Sequence, residues 1–169
     1  MSYVADALAV LASFTLIIAG ASKVSHPREF GSQVIAFQIL PRPVARAAGY
    51  VLPSIEVAVG VLALIWRPAG VLVAILFLTF TVAIASNLLR GRSELRCGCF
   101  GPSGRHTINW ASVGVDVGLA ASAAIGANAK GVPSRVGVQA GVSLVLVVIT
   151  LAAMRTNGVP VFRPARSFG

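Results

Sequence analysis

Five long apolar stretches, each about as long as a bilayer is thick, restrict this chain to one kind of architecture. They run approximately Val4–Ala21, Ala47–Trp66, Ala69–Leu89, Ile108–Ala127 and Val136–Met154. A hydrocarbon core of about 30 Å needs roughly 20 helical residues to cross it. Inside lipid a helix satisfies its own backbone N–H and C=O groups, whereas a β-barrel would need period-two alternation, which these stretches lack. The fourth stretch is richer in Ala and Gly and carries Asp116; the others are nearly unbroken Ala, Val, Leu and Ile. The expected fold is an all-α membrane protein, a bundle of about five transmembrane helices.

Composition agrees with that expectation. Charged residues make up 11% of the chain, against about 25% in soluble domains. The net charge of +9 would suggest nucleic acid if the bases shared one soluble face. They flank the apolar stretches instead, which points to a bilayer and not to nucleic acid. The opening residues resemble a signal peptide only in hydropathy: Met1–Val10 has no Lys or Arg and contains Asp6, so the first stretch reads as a retained helix. Residues 1–155 read as one transmembrane helical domain, followed by a short basic tail, 156–169. A homo-oligomer is compatible with this organisation.

Between the first two spans, Pro27–Pro43 is too polar to cross lipid and too apolar for a plain loop. Phe30, Val34, Phe37 and Ile39/Leu40 recur at helical spacing, while Arg28, Glu29 and Gln33 fall elsewhere. This predicts an interfacial amphipathic helix, or a short helix capping the bundle, closed by Pro41 and Pro43. A tight hairpin is expected at Arg67–Pro68, and the longest polar loop is Arg90–Thr107.

With five spans, one side of the membrane holds Arg67, Lys130 and Arg135. The other holds Lys23, Arg28, Arg42, Arg46, Arg90, Arg92, Arg96, Arg105, Arg155, Arg163 and Arg166. The positive-inside rule assigns the richer side, and the C-terminus with it, to the cytoplasm of a multi-pass inner (plasma) membrane protein. Trp66 and Trp110 stand at span ends, where aromatic belts form. Gly114 and Gly118, and again Gly137 and Gly141, make GxxxG steps, which predict close helix contacts on those faces.

The sequence has only two cysteines, and they form Cys97-Gly98-Cys99 in the most polar loop. A bridge between residues two apart needs a turn, which Gly98 permits. The small ring would be strained and exposed, the kind of disulfide that exchanges. Arg92, Arg96 and Arg105 would favour thiolate over thiol. His106 is a candidate proton carrier, or an ordinary interfacial histidine. A soft-metal site is the second use of two thiolates, but it wants more ligands than His26 and His106 supply, and the surrounding positive charge repels a cation. A structural role is the third.

Two acids lie within spans. Glu56 follows Pro53 in Leu52-Pro-Ser-Ile-Glu56. A charge at that depth is costly and turns toward the bundle interior or a partner, and Pro53 frees a carbonyl beside it. Lys23 and Arg46 are the candidate partners. Asp116 is either buried or reaches back toward the surface. Cys97, Cys99, Glu56 and His106 together form the candidate catalytic set. No metal ligands are assigned and the cofactor-binding residues are unknown.

Several segments resemble the methylamine utilisation MauE family. They are Ala21-Ser-Lys23, His26-Pro-Arg-Glu-Phe30, Leu40-Pro41, Leu52-Pro-Ser-Ile-Glu56 with Gly60, and Cys97-Gly-Cys-Phe-Gly101. The resemblance runs from about residue 5 to 127, and its most specific piece is Cys-Gly-Cys-Phe-Gly. The wider DoxX-like membrane group shares the Lys-then-Pro-Glu layout, which implies a four-helix DoxX-like core plus a C-terminal span. The family implies a membrane helper in maturation of methylamine dehydrogenase, whose small subunit is dense in disulfides. It also implies a thioredoxin-like partner, hence thiol–disulfide exchange.

Three functions remain open on these residues. The first is a membrane thiol–disulfide oxidoreductase using Cys97 and Cys99, with a thioredoxin-fold partner or a quinone as the other carrier. The second is a small-solute or metal transporter using Glu56, and the third is a non-catalytic assembly factor. One tension accompanies the first. Disulfides of exported proteins form outside the membrane, whereas the charge count puts the cysteine loop inside.

Overall fold

The computed structural model describes residues 2–96 and 107–129, and within them the chain is helical. Helix α1 spans Ser2–Val24, α2 Pro27–Ala36, α3 Arg42–Ile65, α4 Gly70–Leu89 and α5 Trp110–Asn128. Four of these, all but α2, are long and apolar enough to cross a membrane. At 1.5 Å per residue, the 23 residues of α1 reach about 34 Å, enough for a bilayer core. The expected fifth span, Val136–Met154, its Gly137 and Gly141, and the basic tail lie outside the described residues.

Local chemistry accounts for the boundaries. Pro27 and Pro43 occupy first-turn positions of α2 and α3, where a missing N–H costs nothing. Helix α3 ends where Trp66 turns extended before Arg67-Pro68, and a 3₁₀ turn over Arg67–Ala69 delivers the chain into α4. That turn is the expected hairpin. Asn109 caps α5 by accepting from the Ser112 N–H at 2.9 Å. Several hydroxyls within the spans bond back to their own helix, as Ser13 does to the Ala9 carbonyl and Thr81 to that of Phe77.

Helix α1 lies between α3 and α5, and α4 packs chiefly on α5. The shared core is Ala12, Leu16, Val73, Ala74, Phe77, Ala120 and Ala123. Its small side chains let the helix axes approach. Outward-facing positions such as Val51, Ile55, Leu72, Ile75, Leu78 and Val82 are apolar and exposed, as lipid contact requires. At one end of the bundle Arg67 donates to Asp6 and to the Ala129 carbonyl. This ties the start of α1, the 3₁₀ turn and the end of α5.

The amphipathic segment folds as expected, but shorter. Helix α2 stops at Ala36, and Gln38 takes a left-handed φ of 53° before the chain reaches Pro41. The helix is seated firmly on α3, with Phe30 and Gly31 buried. A Cβ at Gly49 would stand 2.6 Å from the Gly31 Cα and 2.9 Å from the Pro27 carbonyl, so only glycine fits there.

The expected close contact through Gly114 and Gly118 is not made with any described helix, and the stretch holding Gly137 and Gly141 lies outside the described residues. Among the described residues neither has anything within 4 Å of where a Cβ would stand. The reason is rotational: α5 turns Asp116, Leu119, Ala120 and Ala123 toward the bundle, which swings the glycine pair outward. Replacing Gly49 by Ala should therefore destabilise the protein by about 1–3 kcal/mol through overpacking. Gly118→Ala should be neutral or stabilising by up to about 1 kcal/mol through helix propensity. Thermal unfolding of the two variants in detergent checks the contrast, and an equal loss in both would contradict this packing.

Candidate functional site

Lys23 occupies the last turn of α1, and Glu56 sits mid-way along α3, one turn after Pro53. The two helices come close because Gly20 lies against α3: a Cβ there would meet the Pro53 carbonyl at 2.8 Å and the Glu56 Cβ at 2.9 Å. Side chains on a helix lean toward its N-terminus, so the Lys23 stem runs back along α1 into the bundle. Its Nζ donates to both oxygens of Glu56 at 2.8 Å. The two side chains are 2% and 0% exposed. Of the two candidate partners for Glu56, Lys23 is the one used.

Two aromatic rings complete the enclosure. The ammonium lies 4.9 Å from the centroid of Phe30, on α2, and 5.0 Å from that of Phe80, on α4. Both distances lie within cation–π range. Asp116 adds a second carboxylate in electrostatic reach of the ammonium from α5. It is half-buried, and its Oδ2 is enclosed without a hydrogen-bond partner among the described residues. One lysine thus receives side chains from α2, α3, α4 and α5. The sequence shows the acids as oddities within apolar spans, but it gives no sign that Asp116 and Glu56 share a cation. The only hint is that each of the two stands within a span and Lys23 closes another.

At this same end of the bundle the chain leaves α4 for the polar loop. Asn87, fully buried in the last turn of α4, accepts from the Arg92 guanidinium at its side-chain oxygen at 3.1 Å and donates its side-chain amide N–H to the Ala83 carbonyl at 3.0 Å. Further along, Arg96 pairs with Thr107 in an isolated antiparallel bridge, and the Ile108 N–H donates to the Leu95 carbonyl at 2.9 Å. The two ends of the loop are therefore held side by side. Cys97, Cys99 and His106 fall between them and lie outside the described residues. The Asn87–Arg92 contact escaped the sequence reading; its one available signal is an asparagine inside an otherwise apolar helix.

Chemically, the Lys23–Glu56 pair is closed: each charge is spent on the other. Removing one member of a buried pair strands its partner, at a cost of about 3–5 kcal/mol, whereas replacing both by apolar residues is far milder. Lys23→Met and Glu56→Leu should each lower stability by that order, and the double variant should recover most of the loss. Denaturation in detergent measures all three. Equal losses that simply add would show that the two residues do not work as a pair.

The comparisons with known proteins agree with one another. A profile described as methylamine utilisation protein MauE matches residues 1–129. The chain is 36% identical to the methylamine utilization protein MauE of Paracoccus denitrificans over 133 residues, covering 77% of this chain and 70% of the relative. It is 37% identical to that of Methylorubrum extorquens over 119 residues, covering 68% and 64%. The Paracoccus versutus protein of the same name is 34% identical over 164 residues, covering 87% and 83%. No solved structure matches the chain. The matched region takes in every described helix, the Lys23–Glu56 pair and the cysteine loop, and the chain belongs to the MauE family of methylamine utilisation proteins.

Proposed function

We propose that this chain is a membrane thiol–disulfide redox protein acting through Cys97 and Cys99, in the maturation of an exported, disulfide-rich enzyme such as methylamine dehydrogenase. One observation carries the reading. The chain's only two cysteines stand one glycine apart, in a loop whose ends are joined by the Arg96–Thr107 bridge. The methylamine-utilisation relatives supply the setting. The buried Lys23–Glu56 pair, enclosed on every side, suits a scaffold for that loop better than a solute path.

The exchange balances as follows. A thiolate of a thioredoxin-fold partner attacks one sulfur of the Cys97–Cys99 disulfide, the S–S bond breaks and a mixed disulfide forms. The freed cysteine of this chain takes up a proton, with His106 as the candidate carrier. The partner's second thiol then resolves the mixed disulfide, leaving the partner oxidised and Cys97 and Cys99 as a dithiol. A quinone accepting two electrons and two protons from the dithiol restores the disulfide. Glu56 contributes from a distance, by holding Lys23 and with it the helices that carry the loop.

Either Cys97→Ser or Cys99→Ser should abolish function while sparing the fold, because a disulfide closing so short a loop adds little loop entropy. A partner lacking its second thiol should be trapped as a mixed disulfide with the wild-type chain, seen as a reducible adduct on a non-reducing gel, and neither single variant should form that adduct. Free thiols under every redox condition, together with a working double serine variant, would sink the proposal in favour of an assembly factor.

The charge asymmetry supports a plasma-membrane location with the C-terminus and the cysteine loop on the cytoplasmic side. On that topology the exchange with the partner takes place on the cytoplasmic side, whereas the opposite orientation would bring the loop to the side on which an exported enzyme acquires its disulfides. A C-terminal reporter should be active only inside the cell, and activity outside would reverse the orientation.

A further inference from the structure

Exposed arginines gather at the end of the bundle where α2 crosses α3. Arg28 lies in the first turn of α2, and Arg42 and Arg46 lie one turn apart at the start of α3; all three are exposed. The crossing between the two helices is close. A Cβ at Gly31 would stand 3.8 Å from the Arg46 Cα, and Arg28 directly follows Pro27, whose carbonyl lies against Gly49. Arg28 and Arg46 therefore leave their two helices from one crossing.

None of the three guanidinium groups has an acid or a hydrogen-bond partner among the described residues. The one acid of α2, Glu29, is exposed and pairs with none of them. The far end of α2 is tied down, since Arg92 donates to the Ala36 carbonyl at 2.8 Å and to Gln38 Oε1 at 3.3 Å. The Arg28 end rests on Phe30 and on the Gly31–Gly49 contact, with like charges on either side.

The surroundings are those of a lipid interface. Helix α2 lies between the span that ends at Val24 and the span that begins at Arg42. Beside the arginines, Ile39, Leu40 and Val44 are 46%, 42% and 49% exposed, and Tyr50 follows deeper in α3 at 53%. A ligand for this surface must bring an anionic group to the arginines and hydrocarbon to the apolar side chains. Guanidinium groups take a phosphate through paired N–H bonds. Three cations against one acid favour a headgroup of net negative charge over a zwitterion.

We propose that the α2–α3 crossing is a docking surface for an anionic phospholipid, whose phosphate bridges Arg28 and Arg46 with Arg42 beside them. The bridge offsets the repulsion across the crossing and holds the Arg28 end of α2 in place. Helix α2 also carries Phe30, whose ring centroid lies 4.9 Å from the Lys23 ammonium. The lipid that seats α2 thereby keeps the cover on the buried Lys23–Glu56 pair. The inference stands apart from the redox reading and does not involve the cysteines.

The test uses the full-length protein in nanodiscs of phosphatidylglycerol and phosphatidylcholine in equal parts. Native mass spectrometry after stepwise delipidation should find phosphatidylglycerol retained in preference to phosphatidylcholine. Arg28→Gln and Arg46→Gln should each lower that retention by about three- to fivefold, the effect of one basic charge beside an anionic surface. Neither arginine has a partner to lose, so both variants keep the fold. Arg90→Gln, at an exposed position after α4, should leave retention unchanged. Hydrogen exchange across Pro27–Ala36 should be slower in phosphatidylglycerol than in phosphatidylcholine for the wild type, and alike in both lipids for the Arg28→Gln/Arg46→Gln double variant. Equal retention of the two lipids would overturn the proposal. So would an equal loss from Arg90→Gln, the mark of a diffuse basic surface, or displacement of the lipid by millimolar inorganic phosphate, the mark of a free-anion site.

Discussion

An ammonium and a carboxylate with almost no exposed surface persist inside a helix bundle only as partners, and that constraint governs how this protein is put together. Lys23 can reach Glu56 only if α1 and α3 touch at the level of Gly20. Phe30 can cover the ammonium only if α2 folds back over the end of the bundle. Desolvating two ions is costly, and their mutual attraction offsets that cost only when the geometry is good and the remaining faces are filled. Here both carboxylate oxygens are used and two aromatic rings fill the remaining space. The pair therefore specifies an arrangement more than it adds to stability.

The two ends of the bundle are finished differently. At the end bearing Arg67, a guanidinium meets a carboxylate and a helix-terminal carbonyl, and its charge is largely neutralised. At the end bearing Arg92, a guanidinium meets, among the described residues, two side-chain amides and a carbonyl. The same side chain thus closes on a carboxylate at one end and on neutral acceptors at the other.

Much of this was legible in the sequence because lipid leaves so few options. The four described spans, the amphipathic segment after Lys23, and the turn at Arg67–Pro68 follow from apolar run length, Pro placement and the cost of bare backbone in a membrane. The interior placement of Glu56 followed from the same cost. What the sequence could not convey was rotation about helix axes. A GxxxG step marks a face where close approach is affordable, but whether Gly114 and Gly118 face a neighbour depends on which side Asp116 and Ala120 occupy. Likewise, Lys23 and Arg46 were equal partners for Glu56 until the close approach at Gly20 set the register of α1 on α3. Arg92 acts through contacts with Gln38 and Ala36, some fifty positions earlier, and nothing local advertises such a pairing.

The placement of charges also has a consequence for how the chain enters the bilayer. Asp6 and Arg67, and Lys23 and Glu56, are all present once the first 67 residues have been synthesised. Both ion pairs given by the described residues are therefore complete before α4 and α5 exist. The N-terminal helices can leave the insertion machinery with their buried charges already paired, without waiting for a later segment to rescue them. Asp116 arrives last, into a bundle that already holds its cation, so the charge order along the chain doubles as an order of assembly.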